Sequence, residues 1–276
     1  MPKLSIITIN YNNLEGLKKT VESVVNQTWQ EFEYIVVDGG STDGSAAFIE
    51  SQSENIDYWV SEPDKGIYNA MNKGITKAKG QYLFFLNSGD HFYDNAVLQK
   101  NMEHLQNYDL IYFNIEVSGD TSAEIVSYPV KLRFSDLCFG TLCHQSIFIK
   151  NTLFDTVGLY DENLKIVADW KFLILALFKY HCSYIKIDKT VSTFYLGGIS
   201  SQISCSEERS QVIKEYFSEF VLDYDELYAN NKLLKTNRFK MLSEIESTVM
   251  GKKIVSLFFR MYLMGFSKMK LKDILN

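Results

Sequence analysis

Four short apolar runs, each followed by polar or glycine-rich residues, constrain the fold of this chain more than any other feature. The runs cover residues 4–9, 34–37, 58–60 and 82–86, and segments with apolar residues at helical spacing lie between them. Short runs of this kind predict buried strands, and the helical spacing predicts amphipathic helices. Strands and helices that alternate in this way form a parallel sheet covered by helices. The sequence therefore predicts an α/β fold in which ligands bind beyond the carboxyl ends of the strands.

The pattern changes in the second half of the chain. A strong helix is predicted from 164 to 180, and beyond residue 207 turn signals are scarce and the pattern is helical. Shorter strands are predicted at 110–114, 146–149 and 184–187. We therefore expect a main α/β domain over 1–205 and a helical C-terminal extension over 206–276, which suits a chain of 276 residues.

Charge and cysteine content exclude several classes of protein. With 46% hydrophobic and 22% charged residues the chain is a folded globular protein, and its net charge of -6 argues against nucleic acid as a partner. The four cysteines form no CxxC pair, which fits neither a zinc knuckle nor a disulfide framework. No signal peptide and no membrane-spanning apolar run is evident. We expect a cytoplasmic protein.

Four motifs occur in a fixed order, each at the end of a predicted strand. They are SIITINYN, VVDGGSTDGS, EPDKGIYNAMNKG and FLNSGD. In this order they resemble glycosyltransferase family 2, of the bacterial cell-surface polysaccharide type. The resemblance implies a GT-A fold, a Rossmann-like nucleotide-binding α/β/α sandwich, with 1–205 as the catalytic domain.

The resemblance also implies a reaction. It is the inverting, metal-dependent transfer of a sugar, of the hexosyl type, from a nucleotide sugar such as a UDP-sugar to a glycan or lipid-linked saccharide acceptor. No Gln-x-x-Arg-Trp segment of processive synthases is present, which favours single-sugar addition. Two other functions remain open. A nucleotidyltransferase would normally show a basic, glycine-rich N-terminal signature, and a non-catalytic binding module is conceivable because Asn87 and Ala168 replace acids that relatives often carry.

The donor site follows from the resemblance, residue by residue. A nucleoside diphosphate needs a surface for its base, partners for its ribose and a cation for its pyrophosphate. The residues implied to bind the nucleotide sugar are Thr8, Asn10, Tyr11, Asp38, Asp64, Gly66, Asn87 and Asp90. Three alternatives stay open: a solvent-facing loop for both Thr8 and Tyr11, a turn residue for Asp38, and a helix cap for Asp64. Many relatives have a second acid where this chain has Gly39, which leaves the nucleotide open.

The metal and the catalytic base are each assigned to one acid. Asp90 lies where the family has its Asp-x-Asp motif, which implies that it binds Mg²⁺ or Mn²⁺; the alternative is a plain β-turn. Asp169 opens the long apolar helix and resembles the family base, with a first-turn acid as the alternative. Asp161 and Glu162 are next in line as the base.

Two further segments are interpreted with less specificity. The segments His144-Gln145 and 197–200 resemble family segments near the acceptor or the diphosphate. The alternative for His144 is a structural role, since a lone histidine is more often structural than catalytic, and the glycine-rich loop 197–200 is either a phosphate-binding loop or a hinge. The stretch 251–276 carries six basic residues and one acid, a net charge of +5. Either this stretch lies on an anionic membrane at the inner face of the cell membrane, or it docks on the catalytic domain or on a second subunit in a homodimer.

Overall fold

The computed structural model describes residues 1–119, 122–197 and 205–266. The chain divides into two compact units, Met1–Tyr216 and Phe217–Asn276. The helix Ser206–Tyr216 groups with the first unit, so this division lies beyond the boundary after residue 205 that the sequence indicated.

A mixed sheet forms the centre of the first unit. Across the described residues it has nine strands, which follow the order β3, β2, β1, β4, β8, β6, β9 and β5, with β7 paired to β6. The strands are β1 (Leu4–Asn10), β2 (Phe32–Asp38), β3 (Tyr58–Ser61), β4 (Tyr82–Phe85), β5 (His91–Phe92), β6 (Leu110–Ser118), β7 (Ala123–Val126), β8 (Ile147–Lys150) and β9 (Tyr184–Tyr195).

Helices cover this sheet and build the second unit. The α-helices of the described residues are α1 (Leu14–Val25), α2 (Ser45–Ser51), α3 (Ile67–Lys77), α4 (Val97–Asn101), α5 (Phe134–Phe139), α6 (Leu153–Val157), α7 (Ala168–Phe178), α8 (Ser206–Tyr216), α9 (Val221–Leu234), α10 (Asn237–Ile245) and α11 (Val249–Phe266).

The predicted parallel half of the sheet is confirmed. Strands β3, β2, β1 and β4 are mutually parallel neighbours. The register places Asn10 opposite Asp38, and Asp38 opposite Ser61. Parallel strands in this register bring their polar carboxyl ends to one edge of the sheet, as the sequence indicated.

Strand β1 is buried along its whole length because helices cover both of its faces. Leu4 and Ile6 on one face belong to the same core cluster as Leu17 of α1. On the other face, a Cβ atom on Gly74 of α3 would lie 2.5 Å from Ile7 Cγ2. Glycine at position 74 therefore lets α3 approach the sheet closely, which fixes the start of α3 near the carboxyl end of β1.

The other half of the sheet is mixed, and two of its strands are longer than the sequence predicted. β8 pairs antiparallel with β4 and β6, whereas β9 runs parallel to β6 with a register shift on either side of Asn114. β9 also pairs antiparallel with β5, where His91 faces Thr193. The extra length of β9 carries its last residue, Tyr195, to the turn that follows β4.

The second unit is helical, as predicted. Its described residues form α9, α10 and α11, and Thr236 caps α10 by accepting a hydrogen bond from Phe239 N at 3.2 Å. None of the helices in the described ranges is both long and apolar enough to cross a membrane.

Candidate functional site

Asp38, the last residue of β2, is fully buried and its carboxylate accepts four hydrogen bonds. Asn10 Nδ2 donates at 2.7 Å, and Ser41 donates through its hydroxyl at 2.6 Å and its backbone N–H at 2.9 Å. The Ser61 hydroxyl donates the fourth at 2.6 Å. Burial alone would raise the pKa of Asp38, but these hydrogen bonds outweigh burial and hold the pKa below its usual value. Asp38 therefore stays ionised and ties the ends of β1, β2 and β3 together.

Thr8 lies within the sheet and not at its edge. Its side chain is fully buried, contacts the Tyr34 hydroxyl at 3.0 Å and donates to the Leu86 carbonyl at 2.8 Å. The structure therefore places Thr8 behind the site, where it supports β1 from within, and we do not propose a contact between Thr8 and a nucleotide base.

Tyr11, Gly39 and Asp64 form an open corner beyond the ends of β1 and β2. The side chain of Tyr11 is 67% exposed. A Cβ atom on Gly39 would lie 2.4 Å from Asp64 Oδ2 and 3.1 Å from Tyr11 Cδ2. Asp64 Oδ1 accepts a hydrogen bond from Gly66 N at 2.9 Å, which leaves Oδ2 beside Gly39. The Asp64 carboxylate thus occupies the space that a second acid at position 39 would need.

The turn after β4 presents one amide and one acid. Asn87 Nδ2 lies 3.0 Å from His144 Nε2, and Asn87 Oδ1 is buried without a hydrogen-bond partner among the described residues. Asp90 is 5% exposed; its Oδ2 accepts from Gln145 Nε2 at 2.7 Å and its Oδ1 from Tyr195 N at 3.2 Å. Burial raises the pKa of Asp90 to about 6, only partly offset by the hydrogen bond from Gln145.

Asp169 lies in the first turn of α7 and is held by two side chains from other elements. Its Oδ1 accepts a hydrogen bond from the Tyr68 hydroxyl of α3 at 2.9 Å, and its Oδ2 lies 3.3 Å from His144 Nδ1. Burial would raise the pKa of Asp169, but the contacts with His144 and Tyr68 outweigh it and lower the pKa. The carboxylate is therefore ionised near neutral pH, as a proton acceptor must be.

The two other candidate bases lie in the loop between α6 and α7 and are engaged in interactions that hold this loop to helices. Asp161 pairs with Lys171 of α7 at 2.7 Å. Glu162 accepts hydrogen bonds from Asn69 and Asn72 of α3, both at 2.9 Å. These contacts give Asp161 and Glu162 structural roles. Asp169 remains the candidate base, and the His144 side chain lies between it and the turn after β4.

Asp90 is the acid at this edge that a divalent cation would suit. Burial keeps the pKa of Asp90 raised, although its two hydrogen bonds and the nearby positive charge of Lys19 lower that pKa, so its negative charge is incompletely balanced by the protein. Among the described residues no group of three or more His, Cys, Asp or Glu side chains could hold an ion on its own. A cation bound through Asp90 would therefore complete its coordination with substrate phosphates and water, as Mg²⁺ usually does.

Three further residues belong to the site. Tyr68 and His144 both contact Asp169. Gln145, the neighbour of His144, holds Asp90 through a hydrogen bond. No sequence signal could have paired Tyr68 with Asp169, because they lie 101 residues apart. Of the loop 197–200, only Gly197 is among the described residues.

Sequence comparison identifies the family. Residues 5–152 match the model of Glycosyl transferase family 2. An uncharacterized glycosyltransferase of Mycobacterium tuberculosis is 33% identical over 205 residues, which are 72% of this chain and 78% of that protein. A PGL/p-HBAD biosynthesis glycosyltransferase of Mycobacterium bovis is 30% identical over 180 residues, 63% of this chain and 69% of that protein.

Solved structures agree on the fold. S. aureus TarS 1-349 in complex with UDP-GlcNAc matches with a TM-score of 0.63 at 19% identity, over 83% of this chain and 71% of that one. The mannosyltransferase PcManGT from Pyrobaculum calidifontis, in complex with GDP-Man and Mn²⁺, matches with a TM-score of 0.57 at 14% identity, over 95% and 81%. Both are GT-A glycosyltransferases, which confirms the predicted fold. The chain belongs to glycosyltransferase family 2 and is a glycosyltransferase with the GT-A fold.

Proposed function

We propose that this glycosyltransferase transfers one sugar at a time from a nucleotide sugar to an acceptor hydroxyl, with inversion at the anomeric carbon. The observation that carries the proposal is the position of Asp169. An ionised, partly buried carboxylate is separated from the turn that contains Asn87 and Asp90 by the His144 side chain alone. The candidate proton acceptor and the turn that carries the candidate cation ligand therefore lie on either side of one imidazole ring.

The nucleoside would bind in the open corner. The exposed Tyr11 ring offers a face for the base, and Asp64, which the Gly66 N–H holds through Oδ1, offers Oδ2 as an acceptor for the ribose. Asn10 and Asp38 support this corner from behind. TarS was solved with UDP-GlcNAc and has the higher TM-score of the two structures compared, so we propose a UDP-sugar as the donor.

The reaction is a single displacement. The acceptor oxygen attacks the anomeric carbon while its proton passes to Asp169, and the bond from that carbon to the diphosphate oxygen breaks with its electron pair on the diphosphate. Attack opposite the leaving group inverts the anomeric configuration. A Mg²⁺ or Mn²⁺ ion bound at Asp90 would neutralise charge on the departing diphosphate. Asn87 Oδ1, which has no partner among the described residues, would accept a hydrogen bond from the donor sugar.

A donor panel tests this proposal. UDP-, GDP-, dTDP- and CMP-sugars are added with Mn²⁺ in a thermal-shift assay, since a ligand of the native state raises its stability by mass action. The donor that shifts most is then incubated without acceptor. We expect slow release of nucleoside diphosphate, and NMR of the freed sugar should show an inverted anomeric carbon. Release with retained configuration would contradict the single displacement.

The acceptor side of the proposal concerns α11. Lys252 and Arg260 lie on one side of this helix, whereas apolar side chains on the opposite side are exposed, with Phe258 at 66% and Ile254 at 57%. No acid occurs between residues 249 and 266. We propose that α11 lies on an anionic membrane surface, where the acceptor is a lipid-linked saccharide. The mycobacterial relative named for PGL/p-HBAD biosynthesis supports a biosynthetic role.

Vesicle binding tests the membrane contact. The chain should co-sediment with anionic but not with neutral liposomes, less so as salt rises, because each basic residue near an anionic surface contributes about 1 kcal/mol. The double variant Lys252→Glu/Lys253→Glu should lose binding, and the control Lys3→Glu/Lys131→Glu, with the same charge change at exposed positions of the first unit, should keep it. Dimerisation without vesicle binding would instead favour a second copy as the partner of α11.

A further inference from the structure

His144 contacts both sides of the site. Its Nδ1 lies 3.3 Å from Asp169 Oδ2, and its Nε2 lies 3.0 Å from Asn87 Nδ2. The His144 side chain is 15% exposed and that of Asp169 is 20% exposed, so both are largely buried but still reach the surface. One imidazole ring therefore joins the candidate base to the turn after β4.

The hydrogen-bonding chemistry of these groups fixes their orientation. An ionised carboxylate can only accept, so Nδ1 of His144 carries a hydrogen and donates it to Asp169. In the neutral ring Nε2 then has a lone pair, which accepts from the Asn87 amide N–H. This arrangement turns Asn87 Oδ1 away from His144, and that oxygen is the atom left buried without a partner among the described residues. A chain of hydrogen bonds thus connects Asp169 to His144 and His144 to Asn87.

The backbone of His144 is held by its neighbours. The Tyr128 hydroxyl accepts a hydrogen bond from Cys143 N at 3.2 Å, and the Ser146 hydroxyl donates to the Cys143 carbonyl at 2.7 Å. Gln145 donates to Asp90, and its carbonyl accepts a hydrogen bond from the Ser192 hydroxyl of β9. The ring is thus carried by a short turn that β9 and Asp90 anchor.

We propose that His144 is a positioning residue that holds Asp169 in place for the acceptor and orients the Asn87 amide so that its oxygen faces the donor sugar. The inference rests on the proposed function, because it takes Asp169 as the base and Asn87 as a donor contact. It extends that function by coupling the two substrate sides through a residue that need touch neither substrate.

The ionisation of Asp169 gives a readout for one half of this role. The groups that act on Asp169 are Tyr68 from α3, His144 and Cys143 from the turn before β8, and Tyr160 before α7. Burial raises the pKa of each of the two tyrosines and of Cys143, so these three are neutral near pH 7. Burial raises the pKa of Asp169, and the hydrogen bond from His144 lowers it. Removing this hydrogen bond should therefore raise the pKa of Asp169.

Two conservative variants separate the two contacts. In His144→Asn the side-chain amide can replace Nδ1 and donate to Asp169, but it is too short to reach Asn87. In His144→Gln the amide oxygen can replace Nε2 and accept from Asn87, while the contact with Asp169 is lost. His144→Ala loses both contacts. The donor selected by the panel serves as the probe, with calorimetry for its Kd and hydrolysis for kcat/KM against pH.

We expect His144→Asn to keep the acid limb of the pH profile and to weaken donor binding about tenfold, the size of one lost hydrogen bond. His144→Gln should keep the donor Kd and move the acid limb to higher pH. Identical behaviour of the two variants in both readouts would overturn the inference, as would failure of all three variants to fold, which would make His144 a structural residue. Asp169→Asn is measured in parallel. If Asp169→Asn is inactive while the His144 variants behave like the unmodified chain, the inference fails and the proposed base stands; an active Asp169→Asn refutes the base itself.

Discussion

Replacing Asp90 by asparagine should stabilise the ligand-free protein and at the same time abolish its binding of a metal-bound nucleotide. Burial raises the pKa of Asp90 from 3.8 to about 6. Between these two values the folded chain binds a proton that the unfolded chain has released, so stability falls as pH rises through this window. Above pH 6 this loss of stability is complete. A pKa difference of about two pH units lowers the free energy of unfolding by about 3 kcal/mol at neutral pH.

The asparagine side chain introduced at this position carries no charge and avoids this cost. It keeps one acceptor oxygen, and the Gln145 amide can rotate to accept from the new N–H, so we subtract about 1 kcal/mol for an imperfect hydrogen bond. The net gain of about 2 kcal/mol corresponds to a rise in melting temperature of about 4 °C at pH 7.5. At pH 4.5 the gain should largely disappear, because the carboxyl of Asp90 is then protonated in the folded state.

Thermal unfolding of both proteins at pH 7.5 and pH 4.5, without nucleotide or metal, measures the effect, and calorimetry with UDP and Mn²⁺ measures binding. Asp109→Asn serves as a control in which we expect the opposite change in stability. Burial would raise the pKa of Asp109, but hydrogen bonds from Ser183 and the nearby Lys150 outweigh burial and lower it, so this variant should lose stability at pH 7.5. The reasoning about burial is refuted if Asp90→Asn melts no higher than the unmodified chain. Unchanged affinity for UDP and Mn²⁺ would refute the assignment of the cation to Asp90.

Three further substitutions have defined outcomes. Asp169→Asn should keep the donor Kd and lower the transfer rate by about 10² to 10⁴ fold, because an amide cannot accept the acceptor proton; calorimetry and initial rates decide. Tyr68→Phe removes a donor to Asp169, so the acid limb of kcat/KM should move to higher pH with little change in donor affinity. Gly39→Ala places a Cβ atom 2.4 Å from Asp64 Oδ2 and should weaken nucleotide binding about tenfold or more while the melting temperature changes little; unchanged affinity would show that Asp64 can move without loss.

The parallel half of the fold could be predicted because its signals are local. Each strand from β1 to β4 is a short apolar run, and each run stops at a polar cluster, so type, order and edge follow from the sequence alone. The bounds of β6 and β9 could not be predicted in the same way. Asp188, Lys189 and Thr190 interrupt the apolar pattern of β9, and the strand continues through them only because β6 lies beside it with a shifted register.

The residues predicted to bind the donor show which positions near the end of a strand can contact a ligand. Tyr11 follows the end of β1 and is exposed, whereas Thr8 lies two residues before the end and is fully buried. When helices cover both faces of a strand, the side chains on both faces are buried. A polar residue in the middle of such a strand therefore points into the core on either face. Distance from the strand end could therefore have excluded Thr8 without a structure.

The apolar runs alone do not distinguish the acids of the two strands that flank β1, because each is an aspartate at the end of such a run; only the family resemblance implies that Asp90 binds the metal. Asp38 accepts four hydrogen bonds and has a lowered pKa, so its charge is already stabilised by the protein. Asp90 accepts two among the described residues and has a raised pKa, so its charge is not. A cation gains more from the carboxylate whose charge the protein leaves unbalanced, since desolvation of that carboxylate has already occurred on folding. The number of donors that reach each carboxylate, which only the tertiary structure determines, thus separates Asp38, which holds loops together, from Asp90, which we propose as the ligand of a metal ion bound with the donor diphosphate.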